Sequence, residues 1–274
     1  MSVLTSKEHP LAKKVRLVAA QSRRAPQELV LAEGLRVLEE ATSSGCEIEA
    51  VLATEDFGTR EREKLLLSRW KSNGIPIARA AEPLLKSLSD VLTPQDALAL
   101  VRVPILHLAD LPSISNPLIF CACGLQDPGN LGTLLRTGVA AGASWGCSIS
   151  GTVSARNPKV IRSSAGAFFR LPFVEHLQPS ELLLYCKRRK IRMFQADPCA
   201  GARYTEIDFT QPTATLLGNE AKGMQGKEWS EVAKIRIPMA PGIESLNVAT
   251  AGALLLFEAF RQRSGSKALS SGAR

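Results

Sequence analysis

Apolar runs of strand length alternate with helical patterns along most of this chain. In the first half, ELVLAEG (28–34), IEAVLAT (48–54), IPIARA (75–80) and ALALVRVP (97–104) predict strands. Helices are predicted between them over 35–42, 60–72 and 84–88. The pattern breaks at LHLADLPSISNP (106–117), whose two prolines fix φ and remove donors that a regular element would need. A strand over 118–123 then feeds QDPGNLGTLLRTGVAAGA (126–143), a glycine-rich turn running into a helix. A short strand near 147–150, a helix opened by Asn157-Pro158, a helix over 179–188 and the strand IRMFQAD (191–197) follow. The strands TATLLG and KIRIPM come next, and LNVATAGALLLFEAFRQR closes the pattern as a helix marked at its start by Ser245 and Asn247. The tail SGSKALSSGAR is low in apolar content and is expected to be unordered. Alternating strands and helices predict an α/β fold in two parts, a small domain over 1–108 and a larger one over 109–264, with a tail over 265–274.

The 274 residues suffice for two cores. Lys and Arg (34) exceed Asp and Glu (26), giving a net charge of +8, which favours a polyanionic partner. Residues 1–27 carry Lys7, Lys13, Lys14, Arg16, Arg23 and Arg24 against one acid, Glu8, with Leu11, Val15, Leu17 and Val18 at near-helical spacing. That segment reads either as a solvated helix with one packed face or as a basic arm touching phosphates. The six cysteines form no Cys-x-x-Cys pair and no metal-ligand spacing, so buried free thiols and no metal are expected. No signal peptide or bilayer-length apolar run is visible, and a soluble cytoplasmic protein without a membrane partner is expected.

Three strand-to-loop junctions in the second half carry polar residues: Asn130 and Arg136, Asn219 and Glu220, and Ser245 and Asn247. In open α/β sheets, ligand sites gather at the carboxyl ends of strands, where helix N-termini present free N–H groups. The turn at 126–143 is neither G-x-G-x-x-G nor a P-loop, which argues against a dinucleotide oxidoreductase. No His lies in these loops, so a Ser–His–Asp hydrolase is poorly supported.

DPGNLGTLLRT, IRSSAGAFFRLP, LLGNEAKGM and IPMAPGIESLNVATAGALLLFEAF, in that order over residues 117–262, resemble the successive motifs of the SpoU/TrmH family. These are RNA ribose 2′-O-methyltransferases of the SPOUT superfamily. AEGLRVLEEA, in the first half, is similar to that family's RNA-binding domain, more weakly.

The resemblance implies a catalytic domain built on a parallel sheet with a C-terminal trefoil knot, S-adenosylmethionine as cofactor, and a homodimer. It places catalytic roles on Arg136, Asn130, Glu220, Ser245 and Asn247, and cofactor contacts on Leu217, Gly218, Ile237, Met239 and Leu246. Arg162 matches a position associated with RNA or catalysis, and Lys13, Lys14, Arg23 and Arg24 are the candidate RNA-binding residues of the basic arm. The expected reaction is attack of a ribose 2′-hydroxyl on the cofactor's methyl group. Arg136 is expected to hold a phosphate and polarise the hydroxyl, because a guanidinium is too weak an acid to serve as a base. Ribosomal RNA is expected ahead of transfer RNA. The competing reading is a non-catalytic RNA-binding or ribosome-assembly protein on the same fold. Two positions depart from the family pattern: Ala221-Lys222 follows Gly218-Asn219-Glu220 where Gly is usual, and Thr250 stands in place of an apolar residue.

Overall fold

The computed structural model describes residues 3–89, 95–218 and 227–271, with side chains up to residue 265. Two compact units form: Met1–Ile105 with Arg156–Arg170, and Leu106–Ala155 with Leu171–Arg274.

The first unit opens with α1 (Pro10–Ala19), where Pro sits at the first helical position and the His9 ring accepts from the Leu11 N–H at 3.2 Å. Its Ala12, Val15 and Val18 are buried, which agrees with the packed-face reading of this segment. There follow β1 (Leu29–Glu33), α2 (Leu35–Ser43), β2 (Glu47–Ala53), α3 (Glu61–Ser72), β3 (Ile77–Arg79), α4 (Glu82–Leu88) and β4 (Ala97–Arg102). The sheet order is β1-β4-β2-β3, with β4 antiparallel to both β1 and β2 and β3 parallel to β2.

The second unit begins with β5 (Leu118–Cys123), α5 (Pro128–Ala140) and β6 (Trp145–Ile149). After α6 (Pro158–Ser163), which belongs to the first unit, the chain returns through β7 (Phe173–Leu177), α7 (Pro179–Arg188), β8 (Arg192–Ala196), β9 (Thr213–Gly218), β10 (Ala233–Ile235) and α8 (Val248–Ser271). The six strands are all parallel, in the order β10-β8-β9-β5-β6-β7. Both central strands, β5 and β9, are buried along nearly their whole length, as strands covered on both faces must be. The chain leaves β5 for β6 on one side and leaves β9 for β10, across β8, on the other, so the connections diverge between these two neighbours. That divergence is where an open parallel sheet leaves a crevice at its carboxyl ends.

Three expectations are revised here. The segment 156–170, expected inside the larger domain, packs within the first unit. Arg156 donates to the carbonyls of Gln27, Val103 and Pro104 at 3.2, 3.2 and 2.7 Å, and Arg162 pairs with Glu33 on β1. The small residues around Gly166 let α2 approach closely: a Cβ there would lie 2.6 Å from Glu40 Cβ and 3.3 Å from Val37 Cα. Strand β7 carries no clear apolar alternation, because Glu175 and His176 interrupt it, and pattern reading passes over it. Helix α8 continues to Ser271 through the segment expected to be unordered; Lys267, Ala268 and Leu269 are strong helix formers with no Pro among them. The knotted path that the resemblance implies would involve residues 219–226, which lie outside the described residues, as do Asn219, Glu220 and Ala221-Lys222.

Candidate active site

The turn after β5 is built from local hydrogen bonds. Asp127 caps α5 by accepting from the Asn130 N–H at 2.7 Å, and the Thr152 hydroxyl accepts from the Gly124 N–H at 2.9 Å while donating to the Ala122 carbonyl at 3.1 Å. At the start of α8, Asn247 is the N-cap: its Oδ1 accepts from the Ala249 and Thr250 N–H groups at 2.9 and 3.2 Å. With that oxygen committed to the backbone, its Nδ2 donates to Asn130 Oδ1 at 2.9 Å. The N-termini of α5 and α8 are thus tied through two amide side chains, and both helices present N–H groups where an anion is favoured.

Beside this pair lies a cavity of about 240 Å³ at the carboxyl ends of β8, β9 and β10. All five residues expected to contact a cofactor line it: Leu217, Gly218, Ile237, Met239 and Leu246. Ser245 lines it as well, and Asn247 stands between two lining residues, Leu246 and Val248. Helix α8 reaches this wall because Gly252 has no side chain; a Cβ there would lie 2.5 Å from Leu134 Cδ1 and 2.9 Å from Leu217 Cδ1.

Pattern reading missed Asp197, which closes the cavity at the end of β8. Its carboxylate pairs with Lys234 Nζ at 2.9 Å and accepts from the Cys199 N–H at 2.9 Å. The hydrogen bond from Lys234 holds its pKa below the ordinary 3.8. Its position as the last residue of the IRMFQAD run was the available signal.

Arg136 is exposed and stands apart from this cluster. Six residues beyond Asn130, it emerges about 240° further round α5 at roughly 3.6 residues per turn. The structure therefore places Ser245 in the cavity lining, sets Asn247 between the lining residues Leu246 and Val248 with Asn130 bonded to it, and leaves Arg136 on another face of α5 from Asn130. Glu220 lies outside the described residues.

Arg162, expected at RNA, has its Nη1 on Glu33 Oε2 at 2.8 Å, and Glu33 is fully buried with its other oxygen accepting from Ser89. This ion pair engages the guanidinium that the resemblance associates with RNA or catalysis and ties α6 to β1. Two of the basic-arm residues are also paired: Lys13 with Glu8 at 2.6 Å, and Lys14 with Glu49, which also takes Arg102 at 2.8 Å. Arg23 and Arg24 are exposed without an ion-pair partner among the described residues. Of the cysteines, Cys121, Cys123, Cys147 and Cys186 are buried, and burial pushes Cys186 up to about 12. Among the described residues, no helix is long and apolar enough to cross a membrane.

Residues 117–257 match the SpoU rRNA Methylase family, and residues 10–99 match the MRM3-like substrate binding domain. A 23S rRNA (uridine(2479)-2′-O)-methyltransferase of Streptomyces viridochromogenes is 30% identical over 261 residues, covering 90% of this chain and 88% of its own. Among solved structures, an RNA 2′-O ribose methyltransferase is 33% identical, with a TM-score of 0.82 over 96% of this chain and 100% of that one. The SpoU methyltransferase AviRb from S. viridochromogenes, solved in complex with the cofactor AdoMet, is 26% identical, with a TM-score of 0.82 over 92% of this chain and 97% of that one. With its parallel-sheet unit and its preceding α/β unit each matched in order, this chain belongs to the SpoU rRNA methylase family.

Proposed function

We propose that the protein methylates a ribose 2′-hydroxyl of ribosomal RNA with S-adenosylmethionine. The observation that carries this reading is the convergence of Leu217, Gly218, Ile237, Met239 and Leu246 on one cavity beside the Asn130–Asn247 pair, in a chain of this family. The lining suits the cofactor: apolar side chains flank the space an aromatic base and a methyl-bearing chain would fill, Gly218 leaves backbone uncovered, and Asp197 and Ser245 supply polar edges. When bound, S-adenosylmethionine supplies an electrophilic methyl group on a cationic sulfur.

The chain's own residues then have defined work. The cavity walls exclude water from the methyl group. The Asn130–Asn247 pair and Ser245 orient the ribose, with the amide dipoles fixed by the α8 cap. Arg136, on another face of α5, is proposed to grip an RNA phosphate, and the 2′-hydroxyl proton leaves to a neighbouring phosphate oxygen or to water, since a guanidinium stays charged. Glu220 is assigned to the same pocket on family resemblance alone. Of the four candidate residues of the arm, Arg23 and Arg24, without an ion pair among the described residues, are proposed as phosphate contacts.

A homodimer is part of this proposal. Leu254, Phe257 and Phe260 are 38%, 46% and 45% exposed on successive turns of α8, an apolar stripe of the kind that marks an interface. The cytoplasm is the proposed compartment, where buried unpaired thiols remain reduced.

The test is methyl transfer from labelled S-adenosylmethionine to ribosomal RNA by the purified chain. Label in RNA supports the enzyme. Cofactor binding without any transfer supports the competing reading, a non-catalytic RNA-binding protein.

A further inference from the structure

The C-terminal end of α7 carries Lys187, Arg188, Arg189 and Lys190 in sequence, all exposed and none in an ion pair among the described residues. Lys14 and Arg102 in the first unit, by contrast, are both matched by Glu49. These four are not. Arg189 lies with its guanidinium carbon 4.8 Å from the centre of the Tyr185 ring, and Tyr185 is held edge-on against Trp145 at 5.5 Å. The Tyr185–Arg189 pair forms the ridge between two concavities, one of about 230 Å³ bordered by Ser113, Ser115 and Ile191, the other of about 400 Å³ bordered by Leu108, Leu184 and Arg188.

Two basic residues in a last helical turn are common, because they offset the helix dipole. Lys190 is not explained that way. It lies beyond the helix with φ of 54°, at the position of the helix-ending motif where glycine is favoured. The motif is complete: Lys190 N–H donates to the Lys187 carbonyl at 3.3 Å and Ile191 N–H to the Cys186 carbonyl at 2.9 Å. A lysine is kept where a residue without a side chain would fit with less strain.

We propose that this end of α7 is a second RNA-binding surface, in which Lys187, Arg188, Arg189 and Lys190 hold backbone phosphates and the Tyr185–Arg189 ridge offers a stacking face to a base. It is separate from the candidate active site. Helix α7 ends where β8 begins, whereas the cavity lies where β8 ends, five residues and roughly 13 Å along the strand at about 3.3 Å per residue. An RNA reaching both places would present its target ribose at one end of the sheet while its flanking phosphates are held at the other. The inference rests on the proposed RNA 2′-O-methyltransferase activity for its choice of polyanion.

The test uses the full chain with Lys187→Ala, Arg188→Ala, Arg189→Ala and Lys190→Gly combined, and Lys190→Gly alone. Retention of a ribosomal RNA fragment on filters is measured across a salt series, beside KM and kcat for methyl transfer and the affinity for S-adenosylmethionine. The expected result is roughly tenfold weaker RNA binding for the combined variant, a log–log salt slope lower by about 0.7 for each phosphate no longer held, a raised KM, and unchanged kcat and cofactor affinity. Lys190→Gly alone should unfold no more readily than wild type and still bind RNA more weakly. Unchanged RNA affinity and salt slope overturn the proposal, as does a kcat that falls together with cofactor affinity. If the wild type transfers no methyl group, the proposed activity fails, and the filter series still decides whether this surface binds RNA.

Discussion

The side-chain amide of Asn247 donates to Oδ1 of Asn130 at 2.9 Å, joining residues 117 positions apart. Asn247 has no spare acceptor for this contact, because its oxygen caps α8. One residue therefore fixes the start of a helix and the direction of its neighbour's amide.

Replacing Asn247 by Ala removes both functions and should cost about 1–2 kcal/mol of stability. Asn130→Ala removes the bond between the helices while leaving the α8 cap in place, and the loss of that bond should cost about 1 kcal/mol. The double variant should lose less than the sum, since the shared bond is counted twice. Denaturant unfolding of the three variants measures this directly; strict additivity contradicts the coupling.

Gly252 is expected to be intolerant of any side chain. Gly252→Ala would drive a methyl group into Leu134 and Leu217, costing about 1–3 kcal/mol as the packing shifts. Leu217 lines the cavity, so S-adenosylmethionine affinity should fall together with stability. Calorimetric titration and thermal unfolding of the one variant provide both readings.

The elements of the second unit were largely legible because its strands are buried runs punctuated by turn residues, and parallel central strands leave that signature. The family motifs singled out the five cavity residues, and the structure gathers them at one wall. Contacts between distant positions were not legible. Nothing local to Arg162 announces that Glu33, 129 residues earlier, will take its guanidinium, so its charge read as free for RNA. Asp197 was overlooked for the opposite reason: a single acid at a strand end is ordinary until the fold places Lys234 and a cavity beside it.

The Arg162–Glu33 pair makes a separable prediction. Glu33 is buried, so Arg162→Ala leaves a carboxylate without its counter-charge and should destabilise the first unit by about 3–5 kcal/mol. Combining Arg162→Met with Glu33→Leu should recover most of that loss. If Arg162 acts as a strut, the repaired double variant binds RNA as wild type does. If RNA affinity falls although stability has returned, Arg162 touches RNA.

The Asp197–Lys234 pair predicts an acid limit. Lys234 depresses the folded-state pKa of Asp197 below 3.8, so its contribution is present above the unfolded pKa and is lost as pH falls through the lower, folded value. Lys234→Met should move that loss upward toward the ordinary carboxylate range. Unfolding stability followed from pH 6 down to about pH 3 should show wild type the more stable at pH 6 and the two curves converging as pH falls through about 4 and below. Parallel curves over that window contradict the assignment.

The most direct measurement of the central claim is mapping ribose methylation by resistance to alkaline hydrolysis, since a 2′-O-methyl group blocks cleavage at the adjoining phosphodiester. Ribosomal RNA from cells lacking this protein is treated with the purified chain and S-adenosylmethionine, in parallel with Arg136→Ala. Arg136 is exposed without a partner among the described residues, so its loss should change stability by no more than about 0.5 kcal/mol. The predicted result is one new resistant position with wild type, with transfer by Arg136→Ala slowed about 100-fold or more at unchanged cofactor affinity. No new resistant position, or methyl groups found on a base while the ribose stays cleavable, would contradict the account.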